Sequence, residues 1–272
     1  CINDYGVSSD EYNSRVKGFT TLKYVGEKIS PELTKKFSKD KVFESLHQTK
    51  YIKYYGVVYE APAAFLEVIF GIEDKNNQFK LRHYLNFIIF FISLIFFYKL
   101  LYNRFDNWKL SILGVLMIFL SPRIFANSFY NNKDIIFLSF FIFSLYYSFC
   151  FIEKDSNKNI VLSALFSALA IDVRIAGIIT PAVLSLVYFL SKFKSSHDLK
   201  YIFKQLTKYI FFLGFFTTMF WPYLWSNPIK NFYDAFIQMS NYPHEIYNLF
   251  KGEYLLSTNM PIDYLPTWII YT

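Results

Sequence analysis

Cysteine is nearly absent from this chain: two residues in 272, Cys1 and Cys150. Cys150 sits inside an apolar run, so no disulfide framework follows and the redox compartment is unreadable. Charge is scarce as well. Asp, Glu, Lys and Arg make up 18% of the residues, below the roughly 25% usual for soluble domains. The formal net charge of +7 would suggest a nucleic-acid partner only if the basic residues clustered on a soluble face. They flank apolar runs instead, as membrane topology demands, and no nucleic-acid partner is expected. There is no internal repeat and no low-complexity linker beyond an aromatic bias. An initiating Met is also missing, and the last residues, 266–272, read as the start of another apolar span. The chain is therefore expected to be a fragment of a longer protein, with a helix before it and several after it. A lipidated Cys1 is the alternative.

Apolar and aromatic residues are what the chain has in quantity, 54% and 22% respectively. They fall in runs of about 17–20 residues, the length that crosses a bilayer. Tyr84–Leu101 (YLNFIIFFISLIFFYKLL) carries one charge, near its end. An ordinary soluble core rich in Phe is the competing reading, but a buried soluble helix rarely stays apolar on all faces for that long. Spans are expected at about 84–102, 108–120, 134–152, 160–172, 175–191 and 209–225, the fourth and fifth forming a hairpin with a polar tip. The fold expected is an all-α polytopic transmembrane helix bundle with extracytoplasmic loops carrying short helices. Its parts are a first loop over 1–81, a bundle over 82–225, a second loop over 226–265 and the start of a further span at 266–272. An amphipathic helix is expected around 31–55.

Orientation follows from Lys and Arg in the short loops. Arg104 and Lys109 mark one loop, and Lys192, Lys194, Lys200, Lys204 and Lys208 another. Both are expected in the cytoplasm, with 153–159. Alternation then puts 1–81, 121–133, 172–174 and 226–265 on the opposite side. The polar residues that look misplaced in so apolar a chain all fall there: Asp10, Glu11, Glu60, Arg82, His83, Arg123, Lys133, Asp134, Asp172 and Arg174. Ionisable groups at span ends are costly to desolvate, so they pair or line a wet cavity. Snorkelling towards headgroups explains any one of them equally well. For the whole set on one face, a shared site is the better account.

Asp10-Glu11, in SSDEYNSRVKG, is either a solvated turn, a carboxylate placed to take a proton from a hydroxyl, or a pair of acids for a divalent cation. No cofactor is assigned, the divalent cation standing as the alternative. SPRIFANSFYNNKDI packs Arg123, Asn127, Asn131, Asn132, Lys133 and Asp134 into an outer turn. Arg and Lys suit a phosphate, and a polar cap on two helices, with Asp134 at a helix N-terminus, is the plainer reading. In DVRIAG, Asp172 and Arg174 form either a local ion pair or a grip on a lipid phosphate. FWPYLWSNP reads as an interfacial aromatic belt. Asn241–Glu245 has a mix suited to a sugar or headgroup.

The ordered set SSDEYNSRVKG, VVYEAPAAFLE, LRHYLNF, SPRIFANSFYNNKD, DVRIAG and FWPYLWSNP resembles the GT-C superfamily of membrane glycosyltransferases. The likeness is to the protein O-mannosyltransferase-like branch, which also takes in lipid A aminoarabinose transferases. It implies a bundle of roughly a dozen helices, a polyprenyl-phosphate sugar as donor, a hydroxyl-bearing acceptor, membrane lipid around the protein, and inversion at the anomeric carbon. By position Asp10 matches the family's first-loop catalytic acid, with Glu11 beside it. Glu60 matches a second acidic motif before a Pro. Arg82, Lys133 and Arg174 would bind the donor phosphate, and Asp134 would orient Lys133 or a sugar hydroxyl. Arg123 and Asp172 complete the expected substrate-binding set. The resemblance implies a bacterial plasma membrane with the active site outside the cytoplasm. A transporter or flippase of lipid-linked sugars, or a non-catalytic subunit that binds them, are the readings from other classes.

Overall fold

A computed structural model describes residues 5–29, 52–241 and 245–271 of the chain. The region of the expected amphipathic helix, apart from its last residues, and the centre of the Asn241–Glu245 string lie outside them. The fold is helical, with one short antiparallel hairpin of β1 (Tyr247–Phe250) and β2 (Glu253–Leu256).

Several helices start where a polar side chain satisfies a free N–H. Helix α1 (Ser9–Ile29) begins with Glu11 reaching back to accept from the Ser8 N–H at 2.7 Å, one half of a capping box. Helix α2 (Glu60–Ile69) packs across α1 so closely that a Cβ on Gly18 would overlap the Glu60 carbonyl. Helix α3 (Lys75–Phe105) is capped by Asp74, which accepts from the Asn77 N–H at 3.0 Å. It starts before the expected span and before the boundary drawn at 81, so first loop and bundle share a continuous helix. Its apolar flank is bare: Ile88, Phe91, Ile92 and Ile95 are all exposed, as lipid-facing side chains are.

Helix α4 (Trp108–Phe119) and helix α5 (Pro122–Tyr130) meet at a 66° bend. The sequence expectation here was a span running into an outer turn. The structure turns 122–130 into a helix of its own, because Pro122 at the first position already holds the helical φ and lacks the N–H that would go unpaired. Helices α6 (Asp134–Glu153) and α7 (Asn157–Val173) form the centre of the bundle. Ser144 and Ser167 hydroxyls meet at 2.8 Å, Ser148 and Ser163 at 3.2 Å, and Tyr209 donates to Ser167 at 3.0 Å. Small hydroxyl residues let backbones approach closely where lipid gives no hydrophobic drive. Ala164, Phe151, Tyr188 and Ile202 fill the space around them.

A 3-10 turn over 175–178 leads into helix α8 (Ile179–Lys194). Helices α9 (Leu199–Phe220), α10 (Pro228–Ser240) and α11 (Tyr264–Tyr271) follow. Lys75–Phe105, Asp134–Glu153 and Ile175–Lys194 are each long and apolar enough to cross a membrane, and α4 with α5 adds a fourth if the bent pair is one span. The chain is an all-α polytopic membrane protein. Alternation of direction brings the start of α3, the start of α6 and the α7–α8 turn to one end of the bundle, where α1 and α2 sit.

Candidate active site

That end gathers most of the polar residues singled out above, in two layers. The inner layer is a buried ion network. Arg82 donates to Glu60 at 3.1 Å and to Glu67 at 3.4 Å. Arg15 donates to Glu67 through Nε at 2.9 Å and through Nη2 at 2.5 Å. Asn132 donates to the other Glu60 oxygen at 3.0 Å. Glu60, Glu67 and Arg82 are all buried, so the desolvation cost is met only because each carboxylate is paired. Tyr59 donates its hydroxyl to the Arg82 carbonyl at 2.7 Å and ties α2 to α3. Beside this network Glu11, also buried, meets His83 Nε2 at 2.8 Å.

The outer layer is a row of four charges. Lys133 donates to Asp10 at 3.1 Å, and the next residue, Asp134, pairs with Arg174. Asp10 has 63% of its side chain exposed. Asp134 also accepts from Asn131 Nδ2 at 3.0 Å, and its own N–H donates back to Asn131 Oδ1 at 2.9 Å, which fixes the turn before α6. Asp172 is buried beneath this row. Its Oδ2 accepts from the Val58 N–H at 2.7 Å, and its carbonyl accepts from the Gly56 N–H at 2.9 Å. A Cβ on Gly56 would overlap the Asp172 carboxylate, so glycine is required for this approach. Asp172 therefore pins the 55–59 segment against the end of α7.

A polar cleft of about 310 Å³ borders the Arg174 end of the row, lined by Tyr54, Tyr55, Asp172, Arg174 and Met239 among others. A separate, almost wholly apolar groove of about 510 Å³ lies between Ile171, Ile178, Leu213, Leu224, Phe232 and Phe236, so residues of the 171–178 turn line both cavities.

The expected residues thus divide. Asp10, Lys133, Asp134 and Arg174 stand together and accessible. Glu60 and Arg82 satisfy each other in the interior, and Asp172 holds backbone. Glu11 turns inward to His83 while Asp10 turns outward to Lys133. Neighbours on a helix point about 100° apart, so the two acids diverge. Among the described residues no three His, Cys, Asp or Glu side chains are grouped to hold a metal. Arg123 is exposed and lies over the Trp268 ring, 5.6 Å from its centroid. Sequence reasoning missed Arg15, Lys17 and Glu67. Glu67 had a signal: Glu60, Ala63, Ala64 and Glu67 recur at the spacing of one buried helix face.

A family model described as dolichyl-phosphate-mannose-protein mannosyltransferase matches residues 61–221, more than half of the chain. The match takes in Arg82, Lys133, Asp134, Asp172 and Arg174, and begins after Asp10, Glu11 and Glu60. The chain has no match among curated proteins and none among solved structures. With the family match covering more than half of the chain, the chain belongs to the dolichyl-phosphate-mannose-protein mannosyltransferase family, and is a multi-pass membrane glycosyltransferase of the GT-C type.

Proposed function

We propose that the chain moves a sugar from a polyprenyl-phosphate donor to a hydroxyl acceptor on a protein, lipid or glycan, at the outer face of a plasma membrane. The observation that carries this reading is the row Asp10, Lys133, Asp134 and Arg174, whose Arg174 end borders a polar cleft, with an apolar groove lined from the same 171–178 turn. An amphiphile with a phosphate between a sugar and a hydrocarbon tail matches that sequence of surfaces. Asp10 takes the proton from the acceptor hydroxyl as its oxygen bonds to the anomeric carbon. The bond from that carbon to the phosphate oxygen breaks, and the leaving phosphate keeps the electron pair. Lys133 and Arg174 offset the charge that develops on it. Attack opposite the leaving group inverts the anomeric carbon. Arg82 is withheld from this step, since two buried carboxylates hold its terminal nitrogens and its Nε, though without a hydrogen-bond partner, is buried.

The test is transfer itself. The purified chain in liposomes, given labelled polyprenyl-phosphate sugars and hydroxyl acceptors, is expected to release polyprenyl phosphate and label the acceptor. A sugar lipid that crosses the bilayer unchanged would instead mark a flippase, and binding without either outcome a non-catalytic subunit.

The orientation has its own test. In a background lacking Cys1 and Cys150, single cysteines at the exposed positions 13 and 253 are expected to react with a membrane-impermeant thiol reagent in intact cells. Cysteines at 105 and 197 are expected to react only after permeabilisation. Labelling at 197 in intact cells would reverse the orientation and move the site to the cytoplasmic side.

A further inference from the structure

Among the described residues, every basic group of the site but one has an ion-pair partner. Asp10 holds Lys133, Asp134 holds Arg174, and Glu60 and Glu67 hold Arg82 and Arg15. Lys17 is the exception. It follows Asp10 by seven residues, two helical turns, and so lies on the same face of α1. It is 7% exposed. Its ammonium sits over the Tyr55 ring, 5.6 Å from the centroid, and among the described residues it has no ion pair. Burial pushes its pKa below the usual lysine value; Glu60 pulls it back up and Lys133 presses it down further.

The neighbourhood explains why an ammonium so placed is unusual. Lys133 lies over the same Tyr55 ring, 5.4 Å from the centroid. Two cations from distant segments therefore converge on one aromatic residue, which itself lines the polar cleft with Arg174. Of the nearby carboxylates, Glu60 is engaged by Arg82 and Asn132, and Asp172 accepts from the Val58 N–H through Oδ2; the buried Oδ1 of Asp172 has no hydrogen-bond partner, so Asp172 attracts Lys17 without forming an ion pair with it. A buried charge without a close partner is unfavourable, and a second like charge beside it adds to the cost. An anion between the two ammonium groups removes both costs.

We propose that Lys17 is a third phosphate-binding cation for the lipid-linked donor, gripping the phosphate with Lys133 at the Tyr55 edge of the cleft. The assignment rests on the donor reading above and adds a residue to it. Packing on α1 and the aromatic face of Tyr55 hold Lys17 in place, so it is positioned before an anion arrives. Its contribution is specific to charge, and the hydrocarbon tail gains nothing from it.

The alternative role is structural: Lys17 as a diffuse counter-charge for Glu60 and Asp172. The two roles differ in what they do to a neutral lipid. Binding of labelled polyprenyl phosphate and of the matching uncharged polyprenol is measured on the full chain in detergent, for the wild type and Lys17→Met. Loss of one charged hydrogen bond predicts polyprenyl phosphate weakened about ten- to hundredfold with polyprenol unchanged. Equal weakening of both lipids, or no change in either, overturns the proposal. If Lys17→Met does not give a monodisperse protein, Lys17→Gln and Lys17→Arg carry the comparison: Gln must lose the preference for phosphate, and Arg must keep it. Binding is read without turnover. A wild type that prefers the phosphate through Lys17 yet transfers no sugar would defeat the enzymatic reading alone. A wild type that transfers sugar while Lys17→Met keeps full phosphate preference would defeat the Lys17 assignment alone.

Discussion

Asp10→Asn is expected to lower sugar transfer by about 10²–10⁴-fold, the usual contribution of a general base. Asn keeps the size and polar contacts of the side chain and removes its charge and basicity. Asp10 is mostly exposed and pairs with the partly exposed ammonium of Lys133, so thermal stability is expected to stay unchanged. Polyprenyl-phosphate binding is expected to persist or tighten slightly, because Lys133 loses a competing carboxylate. Glu11→Gln makes an informative contrast. Glu11 accepts from the Ser8 N–H and meets His83 in the interior, so its loss is expected to show first as lower stability of the α1–α3 contact. Transfer is measured under single-turnover conditions with saturating donor, which isolates the chemical step. Near-wild-type transfer by Asp10→Asn would remove Asp10 as the base.

The contrast between those two neighbouring acids shows where sequence reading was strong and where it stopped. The all-α membrane character of the bundle is legible because apolar runs with polar ends recur along the chain, although of the six expected spans the structure gives three helices, or four counting the bent pair, that are long and apolar enough to cross a membrane. The sequence also singles out Asp10, Lys133, Asp134 and Arg174, and the structure brings these four together. Pairing was not legible. As adjacent acids in a polar string Asp10 and Glu11 suit a loop, where two acids can act together; on α1 they face different ways. The capping signal, Ser8 followed three residues later by Glu11, was in the string and would have put the helix there.

Burial was the second blind spot. Arg82 and Arg174 look alike in sequence, each a basic residue at the edge of an apolar run. They differ in what distant segments bring to them. Arg82 meets Glu60 and Glu67 from α2, while Arg174 meets one exposed acid. Lys17 went unnoticed because it sits in a polar string where a lysine is ordinary. It becomes notable only when Tyr55 and Lys133, far away in sequence, close over it.

The inner network gives the second large effect, and it acts on stability instead of chemistry. Arg82→Met keeps much of the side-chain volume but leaves Glu60 and Glu67 buried, with Asn132 and Arg15 as their remaining partners. Removing one partner of a buried pair costs about 3–5 kcal/mol, because the other charge stays behind desolvated. The variant is expected to unfold at clearly lower temperature in detergent, and to lose transfer through displacement of α1 and Asn132 rather than through lost phosphate affinity. Restoring neutrality separates this from simple packing loss. Arg82→Met combined with Glu60→Gln and Glu67→Gln leaves no unpaired buried charge from α2, so it is expected to recover most of the lost stability. If the triple variant is as unstable as Arg82→Met alone, the cost lies in packing around α3 and the network is not what holds this end of the bundle together. If Arg82→Met is as stable as the wild type but fails to bind polyprenyl phosphate, Arg82 leaves its carboxylates to meet the donor, and the division between inner and outer layers is wrong.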